Sequence, residues 1–160
     1  MAATQPVNLT AALASFDQVY SPRIVTRMND YDVRVAHVAG EHVWHTHSDT
    51  DEFFLVIEGE FHITLRDGSV RDEPGRDEPG RDGPVRDGSA ADGPAGDGAE
   101  RTVVLRAGDT FVVPKGTPHK PSSPGGSILM FEPSGTSTTG DSHEGEIPAY
   151  VDSTVGHQLT

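Results

Sequence analysis

The chain contains no cysteine, which removes disulfides, thiolate metal ligands and cysteine nucleophiles from consideration. Basic residues are scarce: 12 Lys and Arg stand against 25 Asp and Glu, for a formal net charge of -13. Such a surface repels phosphate backbones and anionic lipid, so neither nucleic acid nor membrane is an expected partner. No helix-turn-helix pattern argues otherwise. Long apolar runs are missing as well: the longest, Phe53 to Ile57, falls far short of the roughly 20 residues that cross a bilayer. Met1 to Leu13 carries no basic region and no sustained apolar stretch, so it does not read as a secretory leader, and a cytoplasmic location is expected. Hydrophobic residues make up only 34% of the chain, so not all of it is expected to build a core.

What is present is turn-forming chemistry, with 18 Gly and 12 Pro in 160 residues, a length that suggests one domain. One short helix is expected near the start, capped by Asn8 or Thr10 and running through Ala11, Ala12, Leu13, Ala14 and Phe16. Short strands follow at Val33–Val38, Val43–His47, Glu52–Ile57, Phe61–Leu65, Thr102–Leu105, Phe111–Val113 and Ser127–Phe131, with a turn expected at Glu58-Gly59. Short strands separated by Gly and Pro indicate an all-β sandwich or barrel. The expected layout is a helical segment at 1–20, a β-domain at 21–135 and a tail at 136–160.

Residues 71–100 break the pattern with six five-residue units, RDEPG, RDEPG, RDGPV, RDGSA, ADGPA and GDGAE. They hold no aromatic residue and one strong apolar residue, Val85, too little to offset the entropy of ordering them, so a disordered insertion is expected. Regular Asp-Gly units invite a calcium reading, but they match neither the EF-hand spacing nor the calcium-binding nonapeptide. With the units removed, His62 to Val70 runs directly into Arg101 to Leu105 as a hairpin with an Asp67-Gly68 turn. Lengthening a hairpin loop by a few tens of residues costs only about 2 kcal/mol in closure entropy.

Two histidine-bearing segments carry the chemistry. In the first, Gly40 precedes His45-x-His47, Glu52 follows after four residues and Gly59 after six more. Side chains alternate along a strand, so His45 and His47 share one face, and Glu52 on the returning strand can lie beside them. In the second, Gly108 is followed by Pro114, Gly116 and His119. Pro114 ends the strand, Gly116 permits a tight turn and Thr117 before Pro118 is held extended, so a third imidazole can reach the same point. A lone strand histidine is more often structural than a ligand. Three imidazoles and a carboxylate at metal-binding spacing outweigh that reading.

These segments resemble the two signature motifs of the cupin superfamily, and the chain as a whole is similar to small single-domain bacterial cupins of the phosphomannose isomerase-like kind. There are two departures: four residues rather than five separate Gly40 from His45, and Ser123 stands where the second motif ends in Asn. The resemblance implies a cupin-type double-stranded β-helix, a jelly-roll barrel, preceded by the short helix. It also implies that His45, His47, Glu52 and His119 ligate one divalent transition-metal ion. Mn, Fe, Ni, Co, Zn and Cu all suit such a donor set.

Pocket candidates are His37, which shares strand parity with Val33 and Val35, and the apolar residues Phe54, Val56, Phe111, Val113 and Met130. A structural role is the simpler reading for His37 and His62, and His42, His143 and His157 receive no role. Phe53, Leu55 and Ile57 are apolar on the opposite face of the Phe54 strand, which fits a second layer or a homodimer interface. The expected function is a metalloenzyme acting on a small oxygen-bearing molecule, of dioxygenase, isomerase or lyase type. The alternative is a metal-containing module that binds a small ligand without turnover. Deleting residues 71–100 is expected to leave folding and metal content intact, checked by thermal melting and metal quantification; a large loss of either would make the repeat a structural element.

Overall fold

The computed structural model describes residues 5–66 and 99–160. The pentad units from Arg71 to Gly98 lie outside the described residues. Helix α1, Leu9–Leu13, is capped by Asn8, whose Oδ1 accepts from the Ala11 amide at 2.9 Å. The strands are β1 (Arg23–Met28), β2 (Tyr31–Glu41), β3 (Trp44–Thr46), β4 (Glu52–Arg66), β5 (Glu100–Arg106), β6 (Thr110–Val113), β7 (His119–Pro133), β8 (Ser142–Glu144) and β9 (His157–Gln158). They form one jelly-roll sheet in the order β5-β4-β7-β2-β1-β9, with β6 on β4, β3 on β7 and β8 on β3. Every pairing is antiparallel except that of β1 with β9. Among the described residues, no helix is long and apolar enough to cross a membrane.

The Glu58-Gly59 turn expected from the sequence is not a turn. β4 runs unbroken through it, because both halves of the strand pair with β7, from Phe53↔Phe131 through Gly59↔Gly126 to Leu65↔His119. The register slips on either side of Gly59, between Val56 and Glu58 and between Glu60 and His62. Such bulges bend a strand without reversing it. Gly59 has φ +77°, and a Cβ there would lie 2.2 Å from the Gly125 carbonyl oxygen. Only glycine fits so close an approach at positive φ. Ser123 supports the bend: its hydroxyl donates to the Glu60 carbonyl at 2.6 Å and accepts from the Gly125 amide at 2.9 Å.

Alternation along β4 and β7 sends Phe54, Val56, Phe61, Ile63, Ile128 and Met130 into the barrel core. Burying each contributes roughly 1.5–3 kcal/mol. A second cluster, Ala12, Leu13, Val25 and Val35, lies where α1 covers the outer face of β2. The strands that flank the pentad segment, β4 and β5, pair with each other from Glu60↔Arg106 to Arg66↔Glu100. Residues 136–160 add β8, β9 and the buried Val151 to the same sheet and core.

Replacing Gly59 by Ala is expected to destabilise the fold by at least about 2 kcal/mol, from positive-φ strain plus the clash with β7. Chemical denaturation checks this; unchanged stability would mean that the bulge relaxes without cost.

Candidate metal centre

The bend in β4 brings the two histidine segments together. β3 carries His45, which pairs across the sheet with His119 at the start of β7, while Glu52 opens β4. His47 follows β3 in a loop held by the Gly116 amide, which donates to the His47 carbonyl at 2.7 Å. Ser48 donates through both its amide and its hydroxyl to the Asp141 carboxylate, tying the same loop to the segment after β7. One ligand atom from each of His45, His47, Glu52 and His119 lies within 4.8 Å of the other three, and all four residues are buried.

The ring orientations are fixed from behind. His45 Nδ1 donates to the Val43 carbonyl at 2.8 Å, and His119 Nδ1 donates to the Thr117 carbonyl at 2.9 Å. Each contact sets the tautomer and leaves Nε2 to face the centre. Glu52 Oε2 is 2.7 Å from His119 Nε2, 3.3 Å from His47 Nε2 and 4.0 Å from His45 Nε2. Nε2 of His45 and of His47 are buried without a hydrogen-bond partner. Buried polar atoms are ordinarily satisfied, so converging nitrogens beside a carboxylate call for a cation between them.

The electrostatics suit that cation. Burial, with the His119 ring beside it, pushes His45 down to about 3, so its imidazole is neutral and its lone pair is available. Burial opposes ionisation of Glu52, yet the His119 and His47 imidazoles hold it well below the usual carboxylate range. Burial likewise opposes charge on His47, but the Glu52 carboxylate holds its pKa above the ordinary value. The donor set is therefore one carboxylate and imidazoles without thiolate, which suits a borderline divalent ion.

Beside the centre lies a cavity of about 30 Å³, lined by His45, Glu52, Phe54, Met130, His42 and Glu132 among others. Of the remaining pocket candidates, Val56 and Val113 are buried in the barrel core, and Phe111 packs against that core from its edge. His37 requires a correction. On β2 the buried Asp32, Arg34, Ala36 and Val38 alternate with His37, so its parity places it on the outer face. There its Nε2 lies 2.9 Å from both the Leu13 and Phe16 carbonyls and anchors the helical segment. His62, half-buried, pairs with Glu60 at 2.5 Å.

His42 and Glu132 are among the cavity residues that escaped the sequence reading. His42 lies outside any strand, between β2 and β3, where alternation gives no signal; its ring packs 4.9 Å from that of His45, and burial pushes it down to about 4. Glu132 had a signal, since it shares parity with Ile128 and Met130. It is 2% exposed, directly opposite Asp32 across the β2–β7 ladder. The fully buried Arg34 bridges the two, with Nη2 3.1 Å from Asp32 Oδ2 and Nη1 3.1 Å from Glu132 Oε1.

The cupin family pattern matches residues 31–141, more than half of the chain. The chain belongs to the cupin family. A cupin-2 domain containing protein from Shewanella frigidimarina NCIMB 400 is 32% identical, with 79% of this chain and 93% of that one covered at a TM-score of 0.56. The uncharacterised protein YdbB of Bacillus subtilis strain 168 is 29% identical over 116 residues, 72% of this cupin and 74% of YdbB. Hydroquinone 1,2-dioxygenase from Sphingomonas sp. TTNP3 shares the cupin fold at 19% identity, with 82% of this chain and 33% of that one covered at a TM-score of 0.57. His45, His47, Glu52 and His119 are placed so that together they could hold one metal ion.

The buried carboxyls give a stability test. Asp32 stays ionised: burial opposes this, but Ser134, Arg27 and Arg34 together pull its pKa down. Glu132 has only Arg34; burial, reinforced by the charge of Glu52, pushes it up to about 8 from an ordinary 4.5. The unfolded chain thus releases this proton near the ordinary value while the fold retains it. Its contribution is fully present at low pH and is lost as pH rises towards 8. In metal-free protein, Glu132→Gln removes this loss, so the variant is expected to gain on the wild type by up to about 4 kcal/mol between acid and mildly alkaline pH. Denaturation at both ends checks it; parallel pH profiles would overturn the assignment.

Proposed function

We propose that this cupin is a metalloenzyme that holds one divalent transition-metal ion and acts on a small oxygen-bearing molecule. The observation that carries this reading is the convergence of four buried ligand groups, two of them with Nε2 atoms that make no hydrogen bond to any described residue. A divalent ion held there supplies Lewis acidity and open positions for an oxygen ligand. With three neutral imidazoles and one carboxylate, the centre keeps a net positive charge that favours such a ligand.

The protein's part is orientation and exclusion. Val43 and Thr117 carbonyls aim the rings of His45 and His119. Glu52 serves as a ligand rather than a free base, because its carboxylate is enclosed by the imidazoles. Phe54, Phe61, Ile128 and Met130 keep bulk water from the cavity, which strengthens each electrostatic contact inside it. Among the described residues, the lining includes the carboxyls of Glu52 and Glu132 and no Lys or Arg side chain. That wall disfavours phosphorylated sugars and favours an uncharged substrate, which suits dioxygenase or lyase chemistry better than sugar-phosphate isomerisation.

Untagged protein is expected to hold about one equivalent of metal, and His47→Ala to lose most of it. Elemental mass spectrometry after reconstitution checks this; a wild type that stays far below one equivalent would sink the metal reading. Oxygen uptake with catechols, hydroquinones, thiols and diketones then tests turnover. Stoichiometric metal with no consumption of any compound, with or without oxygen, would make the cupin a binding module.

A further inference from the structure

Glu132 is not a metal ligand, yet it occupies the cavity next to one. The register Phe53↔Phe131 on one side and Asp32↔Glu132 on the other sets Glu132 between Glu52 and Asp32, so three inward carboxyls lie in a row across β4, β7 and β2. One buried guanidinium serves this row. Arg34 binds Asp32 and Glu132 and also donates to the Thr136 carbonyl at 3.0 Å. Asp32 is further bonded by Arg27 at 2.9 Å and Ser134 at 2.7 Å. Glu132 receives only the Arg34 bond, on Oε1. Its Oε2 takes no hydrogen bond from any described residue.

A carboxyl oxygen that lines a cavity and has no protein partner is free to bond a group that enters it. The cavity it shares with Glu52 and His45 measures about 30 Å³, space for about one water-sized group. A ligand hydroxyl fits there. A group entering that space meets the metal face on one side and Glu132 on the other.

We propose that Glu132, held by Arg34, is a substrate-contacting residue whose free Oε2 accepts a hydrogen bond from a hydroxyl group adjacent to the oxygen that binds the metal. The ligand class is therefore a small neutral molecule with oxygens on neighbouring carbons, such as an α-hydroxyketone or a vicinal diol. This rests on the metal-dependent reading above. The charged and titratable groups facing Glu132 are Arg34 and Asp32 from β2, Glu52 from β4 and His47 after β3. A carboxyl oxygen accepts a hydrogen bond from a hydroxyl group, so the geometry alone suits a ligand hydroxyl at Oε2.

The probes are hydroxyacetone and acetone, titrated into cobalt-loaded protein and followed by paramagnetic broadening of their methyl proton signals. The wild type is expected to bind hydroxyacetone roughly tenfold more tightly, the worth of one buried hydrogen bond. Glu132→Leu is expected to abolish that preference and Glu132→Gln, which keeps a donor and an acceptor, to retain most of it. Glu132→Asp keeps a carboxylate for Arg34 but withdraws it from the cavity, so it too should lose the preference, which covers the case of a misfolded Leu variant. A preference that is absent from the wild type, or that survives in Glu132→Asp or in a folded Glu132→Leu protein with full cobalt, overturns the proposal while leaving the metal site standing. Wild-type protein that takes up no cobalt overturns both.

Discussion

The β4–β7 ladder has to bend back on itself, and the metal site exists only because it does. The pairs Phe53↔Phe131 and Leu65↔His119 mark the two ends of this ladder. A straight strand from Glu52 to Leu65 would separate those ends by about 40 Å. Yet Glu52 Oε2 and His119 Nε2 are 2.7 Å apart. The register slips around Gly59, where the backbone meets Gly125 and Gly126 with no room for a side chain, supply the bend. The glycine that looks like a turn in sequence is thus part of the machinery that closes the barrel over its ligands.

Charge inside the barrel follows from the same geometry. Closure packs Glu52, Glu132 and Asp32 side by side and encloses the histidines, with Arg34 the one buried arginine among the described residues. Such an interior is not arranged for stability, since buried ionisable groups with too few partners cost more than they return. A cation at the ligand centre offsets the carboxylate row, and protonation of Glu132 offsets it in the absence of one. Metal binding and the charge state of the second carboxyl are therefore physically linked across the cavity.

The outer surface of the barrel has a separate logic. His37 points away from the cavity and fastens the segment around α1 to β2 through two backbone carbonyls. Trp44 is covered by the Arg66 guanidinium at 3.9 Å from its ring centroid, and Arg66 also pairs with Glu144 of β8. These contacts tie residues 136–160 to β3 and so brace the strand that carries His45.

Local patterning made the barrel class, the short helix and the ligand quartet legible in advance. Period-two alternation, the asparagine cap and the spacing of His45, His47, Glu52 and His119 are properties of neighbouring residues. What lay beyond reach depended on which segments become neighbours in space. The continuity of β4 through Gly59 needed β7 as a partner, and the outward face of His37 needed the barrel interior to be defined. The buried position of His42 needed the cavity itself. Glu132 shows the boundary most clearly: its parity with Ile128 and Met130 announced an inward side chain, but its place between Asp32 and Glu52 came only from the pairing of three strands. Sequence by itself determined which groups are able to bind a metal, because ligand chemistry and strand parity are local. Tertiary structure alone decided what faces that metal across the cavity, because the cross-strand neighbours of β7 come from positions far away in the chain.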